Sequence, residues 1–188
     1  MRKIALMLLV LITLTSCEIF DLRDSQPPTV EAEWNDFATN LELALQNLEY
    51  AYEDSRNTIN YTRIFSPDFI FYFAPQDITD FSTDAQWTSV QEQDMLLNLH
   101  TRYRNIKVSL GPFTTADEIS ANEAKIYRSY MLTAEAVAAE EADIVEGDLK
   151  GNLELHYRRL NGYWYIYHWY DYRSGEGHSW GKLKYENS

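Results

Sequence analysis

Three residues in the last third of the chain, Tyr157, His168 and Tyr170, have the chemistry of a site. An imidazole among apolar neighbours handles a proton near neutral pH, and burial lowers its pKa by disfavouring the charged ring. Phenols beside it would orient a bound molecule through hydrogen bonds. His168 therefore reads as a general base, as a hydrogen-bonding group in a pocket, or as a core histidine with its bonds satisfied. Asp171 would join it as a dyad only if a bulge brought the two onto one strand face. The acidic run at 140–148, EEADIVEGD, lacks the alternating Asp/Asn spacing of a calcium loop and reads as a solvated connection. No Cys/His cluster suits zinc, no Gly-rich loop suits a phosphate, and no Gly-x-Ser-x-Gly elbow presents a nucleophile. No metal and no cofactor is expected.

These residues are positioned by a hairpin over 152–173, NLELHYRRLNGYWYIYHWYDYR. Asn161-Gly162 is the signal for a two-residue type I′ turn, because both central residues need positive φ. An uninterrupted ladder from that turn sets Leu160 against Tyr163, Tyr157 against Ile166, Leu155 against His168 and Leu153 against Tyr170. Side chains alternate faces along a strand. One face then carries Leu153, Leu155, Tyr157, Trp164, Ile166, His168 and Tyr170, and is the core face. The other is polar with aromatic patches, and a one-residue slip would exchange the two. A ligand pocket lined by Tyr157, His168 and Tyr170 follows from this register, because apolar walls with a few polar tips are what ligand sites combine. On the other face Arg158, Tyr165, Tyr167 and Trp169 form a candidate homodimer interface, since interfaces favour aromatics and Arg.

The chain opens with a basic pair, Arg2 and Lys3, and an apolar stretch at 4–14 too short to span a bilayer, which takes about 20 residues. It ends in Leu14-Thr15-Ser16-Cys17, which resembles the lipobox of bacterial lipoprotein signal peptides. The resemblance implies cleavage before Cys17, lipidation of its thiol, and a membrane partner reached through that lipid. Glu18, where an Asp would favour inner-membrane retention, favours the outer membrane in a Gram-negative host. Cys17 is the single cysteine, so the mature domain has no disulfide. Without Arg2 and Lys3, 14 basic residues face 29 acidic ones, a net charge of −15. Such a surface repels phosphate backbones and argues against nucleic-acid binding. It is repelled by anionic lipid too, which leaves the anchoring to the acyl chains.

Residues 1–16 thus read as a signal peptide, 17–28 as a lipidated Cys and tether, 29–173 as one domain and 174–188 as a Gly-rich tail in which Trp180 and Leu183 have the means to dock. Thr29 is an N-cap candidate. Val30, Trp34, Phe37, Leu41, Leu45, Leu48 and Tyr52 recur at helical spacing, which predicts a helix of about seven turns ending near Asn57. A short helix over 60–65, a strand at 69–73, an acidic loop over 74–86 and a helix capped by Thr88 or Ser89 follow. Strands at 106–110 and 124–136 precede the hairpin.

This order, with Phe65-Ser66-Pro67-Asp68-Phe69 before the first strand and Gly162-Tyr163-Trp164-Tyr165-Ile166 in the last, resembles the nuclear transport factor 2-like superfamily and its SnoaL-like and ketosteroid-isomerase-like members. The resemblance implies an α+β, cystatin-like cone: a bent antiparallel sheet wrapped on a long N-terminal helix and two further helices, often dimeric, with a pocket at its open end. Trp164 would fill the packed end, and His168 and Tyr170 would lie towards the open one. In the ketosteroid-isomerase-like enzymes a catalytic Asp precedes a proline at the end of the first strand. Ala74 precedes Pro75 here, which argues against that chemistry. Three functions stay open: an envelope lipoprotein binding a small apolar or mixed-polarity molecule without transforming it; a lyase, isomerase or hydrolase using His168; and a protein-interaction module using the aromatic outer face.

Expressed in a bacterium, the protein is expected to partition into detergent with acyl mass on Cys17, and Cys17→Ser to release it from the membrane. Wild-type protein recovered soluble and unmodified, by mass spectrometry of the N-terminal peptide, would rule out the anchor.

Overall fold

The computed structural model describes residues 30–138 and 149–188. Thr29 as a cap, the lipobox and most of the acidic connection lie outside them. Residues 32–188 form one compact unit.

Asn40 decides where the first helix begins. Its side chain accepts a hydrogen bond from the Leu43 amide at 2.9 Å, so α1 runs Leu41–Glu53, not from residue 29 as the apolar spacing predicts. An Asn at this place satisfies one of the free amides of the first turn. The preceding segment is held beside the helix by paired amide contacts. The Asn35 amide donates to Asn47 Oδ1, and Asn47 Nδ2 donates back to the Asn35 carbonyl, both at 2.9 Å. Phe37 leaves the expected helical stripe and packs its ring 5.4 Å from that of Tyr163. Beyond α1 come a one-turn helix α2 (Thr58–Tyr61) and strand β1 (Phe65–Tyr72). The expected acidic loop contains a helix, α3 (Pro75–Phe81). Pro75 sits in its first turn, where its missing N–H costs nothing, and Ser82 closes it in the left-handed region. Strand β2 (Gln86–Thr88) leads into α4 (Ser89–Arg102), which opens with the expected capping box between Thr88 and Gln91.

Strands β3 (Tyr103–Pro112), β4 (Glu118–Ile119), β5 (Glu123–Ala136), β6 (Leu149–Leu160) and β7 (Tyr163–Arg173) follow. They make one open seven-stranded sheet in the order β2-β1-β7-β6-β5-β3, with β4 on β5. The fold is α+β as expected, but the sheet is mixed, because β1 runs parallel to β7. The last residues are not a loose tail. They form a helix, α5 (Trp180–Glu186), with Trp180, Leu183 and Lys184 fully buried. Leu48 and Tyr52 of α1, Met95, Leu96 and Leu99 of α4, and Trp180 and Leu183 of α5 join the inward residues of the sheet in one core. Each large side chain buried there contributes on the order of 1.5–3 kcal/mol.

The hairpin turns at Asn161 (φ 52°) and Gly162 (φ 91°), the two positive φ values a type I′ turn needs. Near the turn the ladder runs as expected, with Leu160 on Tyr163 and Tyr157 on Ile166. The next pair is His156 on His168, then Leu155 on Trp169 and Leu153 on Asp171. Tyr167 is an extra residue, a β-bulge, and everything after it changes face. Trp169 and Asp171 point into the core, whereas His168 and Tyr170 lie on the outer face beside Tyr167.

Trp169→Ala is therefore expected to destabilise the domain by about 3–5 kcal/mol in urea unfolding. Tyr170→Ala, which loses a surface stack, should cost about 1 kcal/mol. The uninterrupted ladder predicts the reverse order.

Candidate functional site

The bulge rearranges the expected site. Tyr157 faces inward and is buried, while His168 and Tyr170 stand on the other side of the sheet, so the three do not line one pocket. His168 lies between Tyr72 and Tyr167, its ring 5.4 Å and 4.7 Å from theirs. Partial burial, helped by His156, lowers its pKa. Tyr170 stacks on Tyr72 at 4.4 Å. Of the expected dimer residues, Arg158, Tyr165 and Tyr167 keep the outer face, with the Arg158 guanidinium 4.4 Å above the Tyr167 ring and bonded to Asp68 at 2.9 Å. Trp169 is excluded from any interface, since it is wholly buried.

Two arrangements inside the domain are chemically notable. The first is a cavity of about 420 Å³ at the turn end of the hairpin. Its wall comprises Trp34, Asn35, Asp36 and Ala38 of the segment before α1, Ala44 and Asn47 of α1, Arg63, Ile64 and Phe65 around the start of β1, and Tyr157, Trp164 and Tyr165 of the hairpin. Trp164 thus borders open space and does not fill a packed end. Arg63 and Asp36 pair at 3.4 Å, both largely exposed. The Tyr157 hydroxyl is buried without a hydrogen-bond partner among the described residues, and burial raises its pKa. A buried polar group left in that state costs about 1–3 kcal/mol.

The second arrangement is a closed polar cluster between the sheet and α5. Asp171 accepts from the Tyr130 hydroxyl and from the Gly181 amide, each at 2.7 Å. The Trp180 amide donates to the Tyr130 oxygen at 2.8 Å. Asp77 accepts from Ser179 Oγ at 2.6 Å, and Ser179 in turn caps α5. A Cβ on Gly181 would stand 2.7 Å from Asp77 and 3.1 Å from Asp171, so only glycine lets α5 sit on both carboxylates. Burial pushes the Asp171 carboxyl up to about 7, against the pull of Tyr130 and Gly181. Burial also raises Asp77, with Ser179 and Arg173 opposing. Farther in, Lys184 donates to both oxygens of Glu92, which also accepts from Tyr61 at 2.6 Å and from Trp87 at 2.8 Å. Burial drives the Lys184 ammonium down to about 8, with Glu92 opposing. Asp77, Glu92 and Lys184 do not stand out in the sequence because isolated charges on helices usually face solvent. The available signal was spacing: Trp180, Leu183, Lys184 and Asn187 fall at i, i+3, i+4 and i+7. Among the described residues no three His, Cys, Asp or Glu side chains are grouped to hold a metal, and no helix is long and apolar enough to cross a membrane.

No protein-family model and no curated protein matches the chain. Solved structures do. A putative scytalone dehydratase from Novosphingobium aromaticivorans is 14% identical over 75% of this chain and 91% of its own, with a TM-score of 0.55. The Kfla4162 protein of Kribbella flavida is 12% identical over 78% and 97%, also at 0.55. A nuclear transport factor 2-like protein from Cytophaga hutchinsonii is 9% identical over 69% and 92%, at 0.51. The chain therefore has the nuclear transport factor 2-like, cystatin-like fold, as the order of its elements led one to expect.

The raised carboxyl of Asp171 gives a pH test. Its folded pKa, about 7, lies above the 3.8 of an unperturbed Asp. Between those values the folded state holds the proton more tightly, so this group's contribution is full below about pH 4 and is lost as pH rises through 7, a change of at most about 4 kcal/mol. Asp171→Asn is expected to flatten that fall in chemical-denaturation stability between pH 4 and 7. An unchanged slope would mean that the carboxyl titrates normally.

Proposed function

We propose that this chain is a lipid-anchored envelope protein whose domain holds a small molecule of mixed polarity in the cavity at the hairpin turn, without transforming it. The observation that carries the reading is the cavity itself. Its volume lies within the range of ligand sites, and its walls combine aromatic and aliphatic side chains with polar groups from Asn35, Asp36, Asn47, Arg63 and Asn161. The anchor rests on the Leu14-Thr15-Ser16-Cys17 motif, and Glu18 after it favours the outer membrane in a Gram-negative host.

The enzymatic alternative finds less support. One structural neighbour carries the name of a dehydratase, yet His168, the base that reading needs, stands on the opposite face of the sheet from the cavity. Among the described residues the one carboxylate on the cavity wall, Asp36, is exposed and paired with Arg63. The interaction-module reading keeps one specific support. Tyr72, Tyr165, Tyr167 and Tyr170 are gathered, half-buried, on the outer face with Arg158, and we propose that face as the route of any homodimer.

Trp34 and Trp164 in the wall make binding visible as a change in tryptophan fluorescence. Against a library of small amphipathic compounds, wild-type protein is expected to give saturable hits. Ala38→Phe, which fills part of the cavity from its wall, should bind them about tenfold or more weakly. Hits with equal affinity for Ala38→Phe and wild type would remove the cavity as their site.

A further inference from the structure

The most unusual group in the interior is the Lys184 ammonium. Its nitrogen lies 4.0 Å from the centre of the Trp169 ring, 4.3 Å from that of Phe71 and 5.9 Å from that of Trp87. On its remaining side both oxygens of Glu92 accept its protons. Lys184 and Glu92 are fully buried and Trp87 nearly so. Aromatic faces around a cation with a carboxylate closing the box form the arrangement that recognises organic ammonium groups.

The box does not depend on its occupant. Phe71 comes from β1, Trp87 from β2, Glu92 from α4 and Trp169 from β7, whereas Lys184 comes from α5. The Glu92 carboxylate is oriented by the Tyr61 hydroxyl and the Trp87 indole N–H, neither of which belongs to α5. Phe71 and Trp169 hold each other edge-on at 5.5 Å. The bulge at Tyr167 is what turns Trp169 inward to form one wall. Two further buried carboxylates, Asp171 and Asp77, stand against the start of α5, and the chain's net charge of −13 favours cations over anions.

We infer that the interior of this domain is a binding site for a primary organic ammonium, filled in cis by the Lys184 side chain as a tethered ligand. The head group it takes is compact, with three protons to donate: two directions meet Glu92 and the rest of the charge rests on the rings. Behind it lies the buried four-carbon stem of lysine itself. A neutral isostere lacks the charge that Glu92 and the rings select, and a free amine enters only where the tethered one has left.

The test is chemical rescue in the full-length chain. Lys184→Ala empties the box while keeping Cβ and a good helix former in α5. n-Propylammonium, which matches the three carbons and ammonium removed, is expected to raise the melting temperature of this variant saturably, by about 3–6 °C at a tenfold excess over its dissociation constant. n-Propanol at equal concentration should do much less. Lys184→Ala combined with Glu92→Gln should lose the response, and wild-type protein, its box full, should show none. Equal shifts with propanol, equal shifts in the wild type, or no shift at all would overturn the assignment. Should Lys184→Ala not fold unaided, propylammonium present during refolding is expected to restore its near-ultraviolet circular dichroism, and failure to do so would overturn the assignment as well. None of these readouts depends on the cavity at the turn end.

Discussion

One additional residue in β7 organises the interior. A strand that alternates without interruption would send Trp169 and Asp171 to the surface and His168 and Tyr170 inward. The bulge at Tyr167 reverses that, because two successive residues, Tyr167 and His168, share the outer face before alternation resumes. The exchange suits the chemistry of the side chains. Trp169 places its large ring in the core, where it touches Phe71 and Trp180. The phenols and imidazoles stay at a surface where their polar atoms reach solvent or each other. Asp171 is the residue that the exchange burdens, and three donors or dipoles gather round it: Tyr130, the Gly181 amide and, through Tyr130, the Trp180 amide.

Burying charges on this scale is costly, and the structure manages it by pairing. A lysine and a glutamate taken from water lose several kcal/mol of hydration each, recovered only if the geometry is good and the remaining lone pairs are satisfied. Glu92 meets that condition with donors from Lys184, Tyr61 and Trp87. Lys184 meets it with two carboxylate oxygens and two close ring faces. A core of Leu and Phe would be cheaper to fold. The pair supplies specificity: α5 has one seating in which its ammonium reaches the carboxylate, Gly181 clears Asp77 and Asp171, and Ser179 caps the first turn.

Much of this was legible in residues alone. Asn161-Gly162 announced its turn, Thr88 and Gln91 their capping box, and the succession of helices and strands the fold. These are local signals, each carried by a few adjacent residues. What stayed hidden depends on competition between distant parts. The spacing from Val30 to Tyr52 suits a helix throughout, yet Asn40 starts it eleven residues late because Asn35 and Asn47 bind the preceding segment in another shape. The run His168-Trp169-Tyr170 alternates equally well in either phase, since every member has both an apolar ring and a polar end. Nothing local places the bulge. Lys184 reads as a surface cation until Glu92, 92 residues earlier, is brought beside it. The expected pocket shares only Tyr157 with this cavity, because the same change of phase carries His168 and Tyr170 to the other face.

The position of α5 also bears on the order in which the molecule is made. Its contacts close long loops in the domain: Ser179 with Asp77 across 102 residues and Lys184 with Glu92 across 92. Contacts of such separation form late, because the entropy of closing the chain is spent before they reward it. On a ribosome or a translocation pore, strands β1 to β7 emerge while Trp180, Leu183 and Lys184 are still missing from the core. Through that interval Glu92 and Asp171 face an unfilled interior, and the growing chain stays open to whatever accompanies it until residue 184 arrives.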